Sequence, residues 1–312
     1  MSVSRRSRTA DGHRIASPKH LRPGAALRCS LVILMVPALG CGTIPVRPTR
    51  YHAADLAQKK AIPIPDDLKD DVARAETIGA DLYRRQLHAR IGLEFLRDKK
   101  QPLDGLGSWL IMGVMLGADG KPEGAPVLAV ATAESPPRLA YEVDLAISIY
   151  PTFRRRDPPV DITPGPLEGF LAIERAAAAV PKLTGRYDQI LSLASYIGEE
   201  GGLVYLIAES DRPDDIVLGM HYRVLVDDTG TVAEVRPLSD SAASVSHLSG
   251  ESADGKNPPG VLIQHNLTAS PLETHVLESL RHGRVPLLVV TPRGSWRVTG
   301  DHVEYLTPER GD

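Results

Sequence analysis

Cysteine is scarce in this chain, because its 312 residues include only Cys29 and Cys41. Cys29 lies in a segment that we expect to be removed, which leaves Cys41 as the one thiol of the mature protein. A single thiol cannot form an internal disulfide or a multi-cysteine zinc site, and it argues against a cysteine nucleophile.

Several familiar catalytic motifs are also missing. The sequence contains no G-x-S-x-G, no Walker loop, no H-E-x-x-H and no G-x-G-x-x-G. Aromatic residues make up only 4% of the chain, so a groove that stacks carbohydrate rings is not indicated. The sequence therefore offers no motif that names a reaction.

The first 40 residues have the three-part layout of a secretory signal. Seven bases and one acid, Asp11, occupy residues 1–28, an apolar run covers 31–39, and Gly40 precedes Cys41. The apolar run is too short to span a bilayer, which needs about 20 residues. The seven bases are Arg5, Arg6, Arg8, Arg14, Lys19, Arg22 and Arg28.

The sequence Ala38-Leu39-Gly40-Cys41 predicts that Cys41 is lipidated. It resembles a bacterial lipobox, although the residues two and three before the cysteine are reversed. Small residues at 38 and 40 also suit ordinary signal peptidase, and an uncleaved anchor over 25–44 would have to bury Arg28. With Gly42 rather than Asp after the cysteine, we expect a lipid anchor on the periplasmic face of the outer membrane.

Charge separates the leader from the rest of the chain. The leader carries +6 and the whole chain −3, so the mature part carries −9. This acidity argues against nucleic-acid binding. The expected partner is the membrane, through the lipid on Cys41, and the sequence identifies no cofactor or protein partner.

After the leader, we expect residues 41–65 to form a proline-containing tether and residues 66–312 to form a single α+β domain. Apolar residues at three- and four-residue steps predict a long helix from 66 to about 100, with a buried stripe of Leu68, Val72, Ala75, Ile78 and Leu82 that continues through Leu87, Ile91 and Phe95. Acids at its start and bases at its end, Arg97 among them, complement the helix dipole. Two further helices are expected at 167–180 and 270–281.

The sheet is expected to be largely antiparallel, because the strand patterns come in hairpins. One hairpin joins 108–116 to 127–133, and the clearest joins 217–226 to 231–235 through a turn that ends at Gly230. Proline-rich residues 157–166 are expected to be a surface loop.

The candidate chemical residues are His221, His265, Glu273 and His275. Three imidazoles and a carboxylate can form an open metal site or an acid/base site, with the three histidines as the metal ligands. Their spacing matches no established ligand pattern.

A structural alternative exists for Glu273, His221 and His275. Ser270, Pro271 and Glu273 fit a capping box, with Ser270 as the N-cap, Pro271 at N1 and Glu273 at N3. His221 and His275 can be satisfied by backbone groups in half-buried elements.

Several segments carry a resemblance to a known group. They are residues 202–208, 218–224, 239–241, 264–267, 270–276 and 296–300, with a vaguer match at 78–83. Over residues 75–306 the chain resembles a family of uncharacterised exported proteins of proteobacteria. Family members usually carry two glycines before His-Tyr-Arg and a cysteine after the serine turn, where this chain has Met220 and Ala243.

The resemblance implies an envelope location, and it does not imply any particular activity. The sequence therefore predicts an envelope lipoprotein that serves as a binding or structural module. The alternative is a metal-assisted or acid/base hydrolase that uses the histidine cluster.

Overall fold

The computed structural model describes residues 49–51, 60–113, 115–116, 122–146, 151–181, 189–198, 201–210, 212, 215–239, 244–246 and 260–306. The predicted leader, Cys41 and the turn at 117–121 lie outside these residues. No helix in the described part of the chain is both long and apolar enough to cross a membrane.

The described residues form three α-helices, which confirms the long N-terminal helix and the two later ones. After a 3-10 turn at Asp66–Leu68 come α1 (Lys69–Asp98), α2 (Pro164–Ala179) and α3 (Glu273–Arg281). Helix α2 begins with prolines in its first turn, where a missing backbone N–H costs no hydrogen bond.

The strands form a six-stranded sheet, two four-stranded sheets and two pairs, and all but one of the strand pairings are antiparallel. The α+β class is thus confirmed. In chain order the strands are β1 (Thr49–Tyr51), β2 (Ala61–Ile62), β3 (Leu106–Met112), β4 (Met115–Leu116), β5 (Pro122–Glu123), β6 (Val127–Thr132), β7 (Arg138–Asp144), β8 (Thr152–Asp161), β9 (Gln189–Gly198), β10 (Gly201–Glu209), β11 (Asp215–Val217), β12 (Tyr222–Val226), β13 (Val232–Pro237), β14 (Ser244–Ser246), β15 (Gly260–Gln264), β16 (Leu287–Thr291), β17 (Gly294–Thr299) and β18 (His302–Leu306).

The six-stranded sheet has the order β1-β15-β16-β17-β18-β2. Its strands β15 and β16 are parallel and are linked by α3, a βαβ unit that the hairpin pattern did not indicate. Strands β1 and β2, which lie within the range predicted as a tether, pair with β15 and β18. Residues 49–51 and 61–62 are therefore strands of the six-stranded sheet.

The four-stranded sheets have the orders β13-β12-β10-β9 and β3-β6-β7-β8. Both predicted hairpin pairs are confirmed, as β3 with β6 and β12 with β13. The surface loop predicted at 157–166 is wrong, because β8 continues to Asp161 and α2 begins at Pro164.

Helix α1 connects the three larger sheets through its buried side. Val72 joins the core of the six-stranded sheet, Leu82 packs with Tyr205 of β10, and Leu96 packs with Leu128 of β6. One side of α1 is thus covered along its whole length. Most of the opposite side remains partly or fully exposed, and part of it borders the cleft described below.

Candidate functional site

His221 is fully engaged by the backbone around it. Its Nδ1 accepts a hydrogen bond from the Ala208 N–H at 3.1 Å, so Nε2 carries the proton and donates to the Val217 carbonyl at 2.9 Å. The side chain is buried, and burial lowers the pKa of His221 below its ordinary value. A neutral imidazole here ties β10 to the segment between β11 and β12.

His265 and His275 form a buried pair with ring centroids 4.9 Å apart in an edge-to-face arrangement. The Thr268 hydroxyl donates to the Ser270 carbonyl, so it accepts from His265 Nε2, 2.7 Å away. His275 Nδ1 accepts from the Leu272 N–H at 2.9 Å.

The pKa of His275 lies well below its ordinary value, because of burial first and then because of the nearby imidazoles of His265 and His221. Of the three predicted histidines, His265 and His275 are therefore in contact, and His221 affects the pKa of His275 through its charge. Across the described residues, however, no group of three His, Cys, Asp or Glu side chains is placed to hold a metal ion.

The capping-box prediction for Glu273 is wrong. Helix α3 begins at Glu273 with Leu272 as its N-cap, so His275 rather than Glu273 stands at N3. Its imidazole performs the capping role by accepting from the N-cap N–H. The capping-box pattern places the N-cap at Ser270, two residues before the actual N-cap, Leu272. Ser270 and Pro271 therefore precede the helix.

Glu273 instead belongs to a buried polar network. Its Oε1 accepts from the Tyr205 hydroxyl at 2.8 Å and from Arg223 at 3.1 Å, which joins α3 to β10 and β12. Burial, followed by the negative charge of Glu273, raises the pKa of Tyr205 above its ordinary value. The hydroxyl therefore stays protonated and serves as a donor.

A cleft of about 450 Å³ lies along the less buried side of α1, and sequence reasoning missed it. One wall is α1, and the other is made by β3, the end of β10, the start of β11 and the end of α3. The cleft is lined by Tyr83, Gln86, Leu87, Ala89, Arg90, Leu93, Arg97, Trp109, Glu209, Ser210, Arg212, Asp215, Val217, Arg281 and His282. None of the four sequence-predicted site residues belongs to this lining.

Charged side chains brace the cleft where β10 meets α3. Arg281 donates to Glu278 at 2.8 Å and also to Glu209, which in turn accepts from Gln86 of α1 at 2.9 Å. His282 Nε2 lies 3.4 Å from Glu278. These contacts fix α1, β10 and α3 relative to one another around the cleft.

The charges around Arg281 favour the ionised forms of both Arg281 and Glu278. Burial by itself lowers the pKa of Arg281, but the charges of Glu278 and Glu209 outweigh it and raise the pKa above its ordinary value. Burial by itself raises the pKa of Glu278, yet Arg281 and His282 bring it below the ordinary value. The cation of Arg281 is therefore already neutralised by two carboxylates.

Three other arginines of the cleft differ from Arg281, since they are exposed and no described carboxylate pairs with them. They are Arg90, Arg97 and Arg212. Arg90 and Arg97 lie two turns apart on α1, and Arg212 comes from the segment between β10 and β11. These guanidinium groups are the donors that carboxylates and phosphates prefer.

The sequence did contain a signal for this site. Arg90 and Arg97 are seven residues apart with Leu93 between them, which places all three on one side of a helix. Arg97 was interpreted only as a complement to the helix dipole. Apart from Trp109, the opposing wall comes from residues more than 100 positions later in the chain, and no periodicity within α1 predicts it.

The chain matches no protein-family model, and no curated protein and no solved structure is significantly similar to it. The geometry described above is therefore the basis for a functional proposal.

Proposed function

We propose that the protein is a lipid-anchored envelope module that binds a small organic anion in the cleft beside α1. The observation that carries this proposal is the set of three exposed arginines, Arg90, Arg97 and Arg212, which face the cleft without a described carboxylate partner. Their attraction for an anion is stronger in a partly enclosed site than on an open surface, because less water screens it.

The leader supports the location. A basic segment, an apolar run at 31–39 and a cysteine at 41 are typical of an export signal that ends in lipidation. Attachment through Cys41 would hold the domain at the periplasmic face of the outer membrane, where small anionic molecules that enter the periplasm are accessible to it.

The geometry favours binding over the alternative of a histidine-based hydrolase. The imidazoles of His221, His265 and His275 make hydrogen bonds to backbone groups or to Thr268, and none of them lines the cleft. A binding role needs only the shape and charge of the cleft.

The proposal is tested by thermal unfolding of the purified full chain with small carboxylates, phosphates and neutral amides of the same size. Ligands that bind only the folded state raise Tm. We expect the anions to raise Tm and the amides to have no effect, with the increase shrinking as ionic strength rises.

A triple variant, R90Q/R97Q/R212Q, should lose the response to anions. The matched control R74Q/R154Q/R155Q removes the same charge from exposed arginines outside the cleft and should respond like the unmodified chain. The proposal is wrong if no anion raises Tm, or if both triple variants respond alike.

A further inference from the structure

The α1 wall of the cleft combines cations with apolar side chains. Along it, Leu87, Arg90, Leu93 and Arg97 follow one another at steps of three, three and four residues, which places them on one stripe of the helix. Apolar and cationic positions thus alternate, and the backbone positions of Arg90 and Arg97 are about 10 Å apart along the helix axis, a span that their two long side chains can bridge. A purely inorganic anion would leave the leucines exposed to water.

Strand β3 contributes Trp109 to the cleft, where the side chain is half-buried. Val217 of β11 also lines this wall. An indole that is partly open to a cleft offers a flat apolar surface that a planar ligand can cover. The chain's other tryptophan, Trp296, is completely buried in the core of the six-stranded sheet.

The charge of the lining limits the charge of the ligand. Four arginines and two carboxylates line the cleft. Glu278, which pairs with Arg281, reduces the excess to one positive charge, so a ligand with one negative charge would balance it. A highly charged polymer would meet the carboxylates of Glu209 and Asp215.

From these features we infer that the ligand is a small organic anion with a planar apolar body, held by Arg90 and Arg97 through its oxyanion and by Trp109 and Leu93 through its body. This inference rests on the proposed function and names the ligand class for the same cleft. A volume of about 450 Å³ lies within the range of pockets that enclose such molecules. The oxyanion is a carboxylate or a phosphate, and the two are separate arms of the test.

The test uses matched probes with the purified full chain. In one arm benzoate is compared with acetate and benzamide, and in the other phenyl phosphate is compared with inorganic phosphate. Calorimetric titration should give a Kd at least about tenfold lower for the aryl anion than for its small counterpart in at least one arm, because the ring buries apolar surface. Benzamide should not bind measurably.

Tryptophan fluorescence reports whether the ring occupies the predicted position. Binding of the aryl anion should change the emission, and W109F should abolish this change while it keeps the preference for the aryl probe, since Trp296 is buried elsewhere. W109A should lose the preference as well. If W109A does not fold, W109F and the probe pairs still decide the outcome.

The inference is overturned if acetate and inorganic phosphate bind as tightly as their aryl counterparts, or if W109F retains the emission change. Those results leave anion binding itself intact. If no anion of either arm binds, the proposed function has failed instead.

Discussion

At the scale of single residues, Glu273 shows why local sequence was a poor guide to the role of a side chain. The pattern Ser-Pro-x-Glu fits a capping box, but Glu273 pairs with Tyr205 and Arg223, which are 68 and 50 positions away in the chain. Only the tertiary arrangement of α3 against β10 and β12 brings these groups together. His275, which the sequence predicts as a metal ligand, performs the capping role instead.

The buried ion pair gives a stability prediction. Glu273→Gln should lower the free energy of unfolding by about 3 kcal/mol, because Arg223 loses the counter-charge of a buried pair. Denaturant unfolding measures the difference. As a control, Asp67→Asn breaks the exposed pair with Arg293 and should cost less than about 1 kcal/mol. Equal effects of the two substitutions would contradict the buried network.

The buried histidines give a pH prediction. Burial lowers the pKa of His221 and His275 in the folded protein, whereas both titrate near pH 6.5 when unfolded. The unfolded state therefore binds more protons below that pH, and stability should fall as pH decreases from about 6.5 to 5. Glu278, whose pKa is lowered, adds its own loss only in more acidic solution.

Unfolding measured across this pH range in a histidine variant separates the contributions. His275→Asn keeps an acceptor for the Leu272 N–H and should reduce the pH dependence. A pH dependence that His275→Asn leaves unchanged would show that this imidazole does not titrate as described.

At the scale of elements, α1 shows what hydrophobic periodicity can and cannot predict. Leu68, Val72, Ala75 and Leu82 are buried as expected, whereas Ile78 is only half-buried. The predicted continuation through Leu87, Ile91 and Phe95 is only half-buried, because the buried stripe runs through Arg85, Ala89, Gly92 and Leu96 instead. Small residues and the buried pair of Arg85 with Asp81 carry no apolar signal, so Leu87 was assigned to the core rather than to a cleft.

The parallel pairing of β15 and β16 was missed for a related reason. Both strands are short apolar runs, and such runs do not indicate strand direction. The connecting helix α3 is only nine residues long. Turn residues identified the β12–β13 hairpin well, because its turn is local and ends at Gly230 with a positive φ of 79°.

The contact between α1 and α3 depends on Gly79. A Cβ at this position would lie 2.5 Å from Val276 Cβ and 2.6 Å from the Glu273 carbonyl oxygen. Gly79→Ala should therefore destabilise the domain by about 2 kcal/mol through overpacking, although alanine is the better helix former.

The matched control is Gly202→Ala in β10, where a Cβ would make only ordinary van der Waals contacts, the nearest with Ala172 Cβ at 3.5 Å. It should leave Tm unchanged or raise it slightly. If thermal unfolding shows the same Tm for both variants, the close approach of α1 and α3 at Gly79 is not as described.

At the scale of the whole molecule, composition and the hairpin pattern were sufficient for the α+β class, while the arrangement of sheets around α1 was not predictable. The cleft depends on that arrangement, since its walls come from residues 83–109 and 209–282. Local patterns can predict single elements and one wall of such a site, as Arg90 and Arg97 do on α1, but they do not predict which distant elements form the opposite wall.

The proposed envelope location rests on the leader and has its own prediction. Replacing Cys41 with Ser should abolish metabolic labelling by fatty acids, because the proposal makes this thiol the acceptor of the lipid. Cys29→Ser serves as the control and should leave labelling intact. An unmodified chain that takes up no label would end the lipidation hypothesis without affecting the cleft.

The most direct test of the central claim is to observe the arginine side chains themselves. In protein labelled with ¹⁵N-arginine, the Nε–H resonances of Arg90, Arg97 and Arg212, assigned with the single Gln variants, can be followed while phenyl phosphate or benzoate is added. We predict saturable shifts at these resonances and none at Arg74 or Arg154. Shifts confined to arginines outside the cleft, or equal at all of them, would contradict an anion-binding cleft.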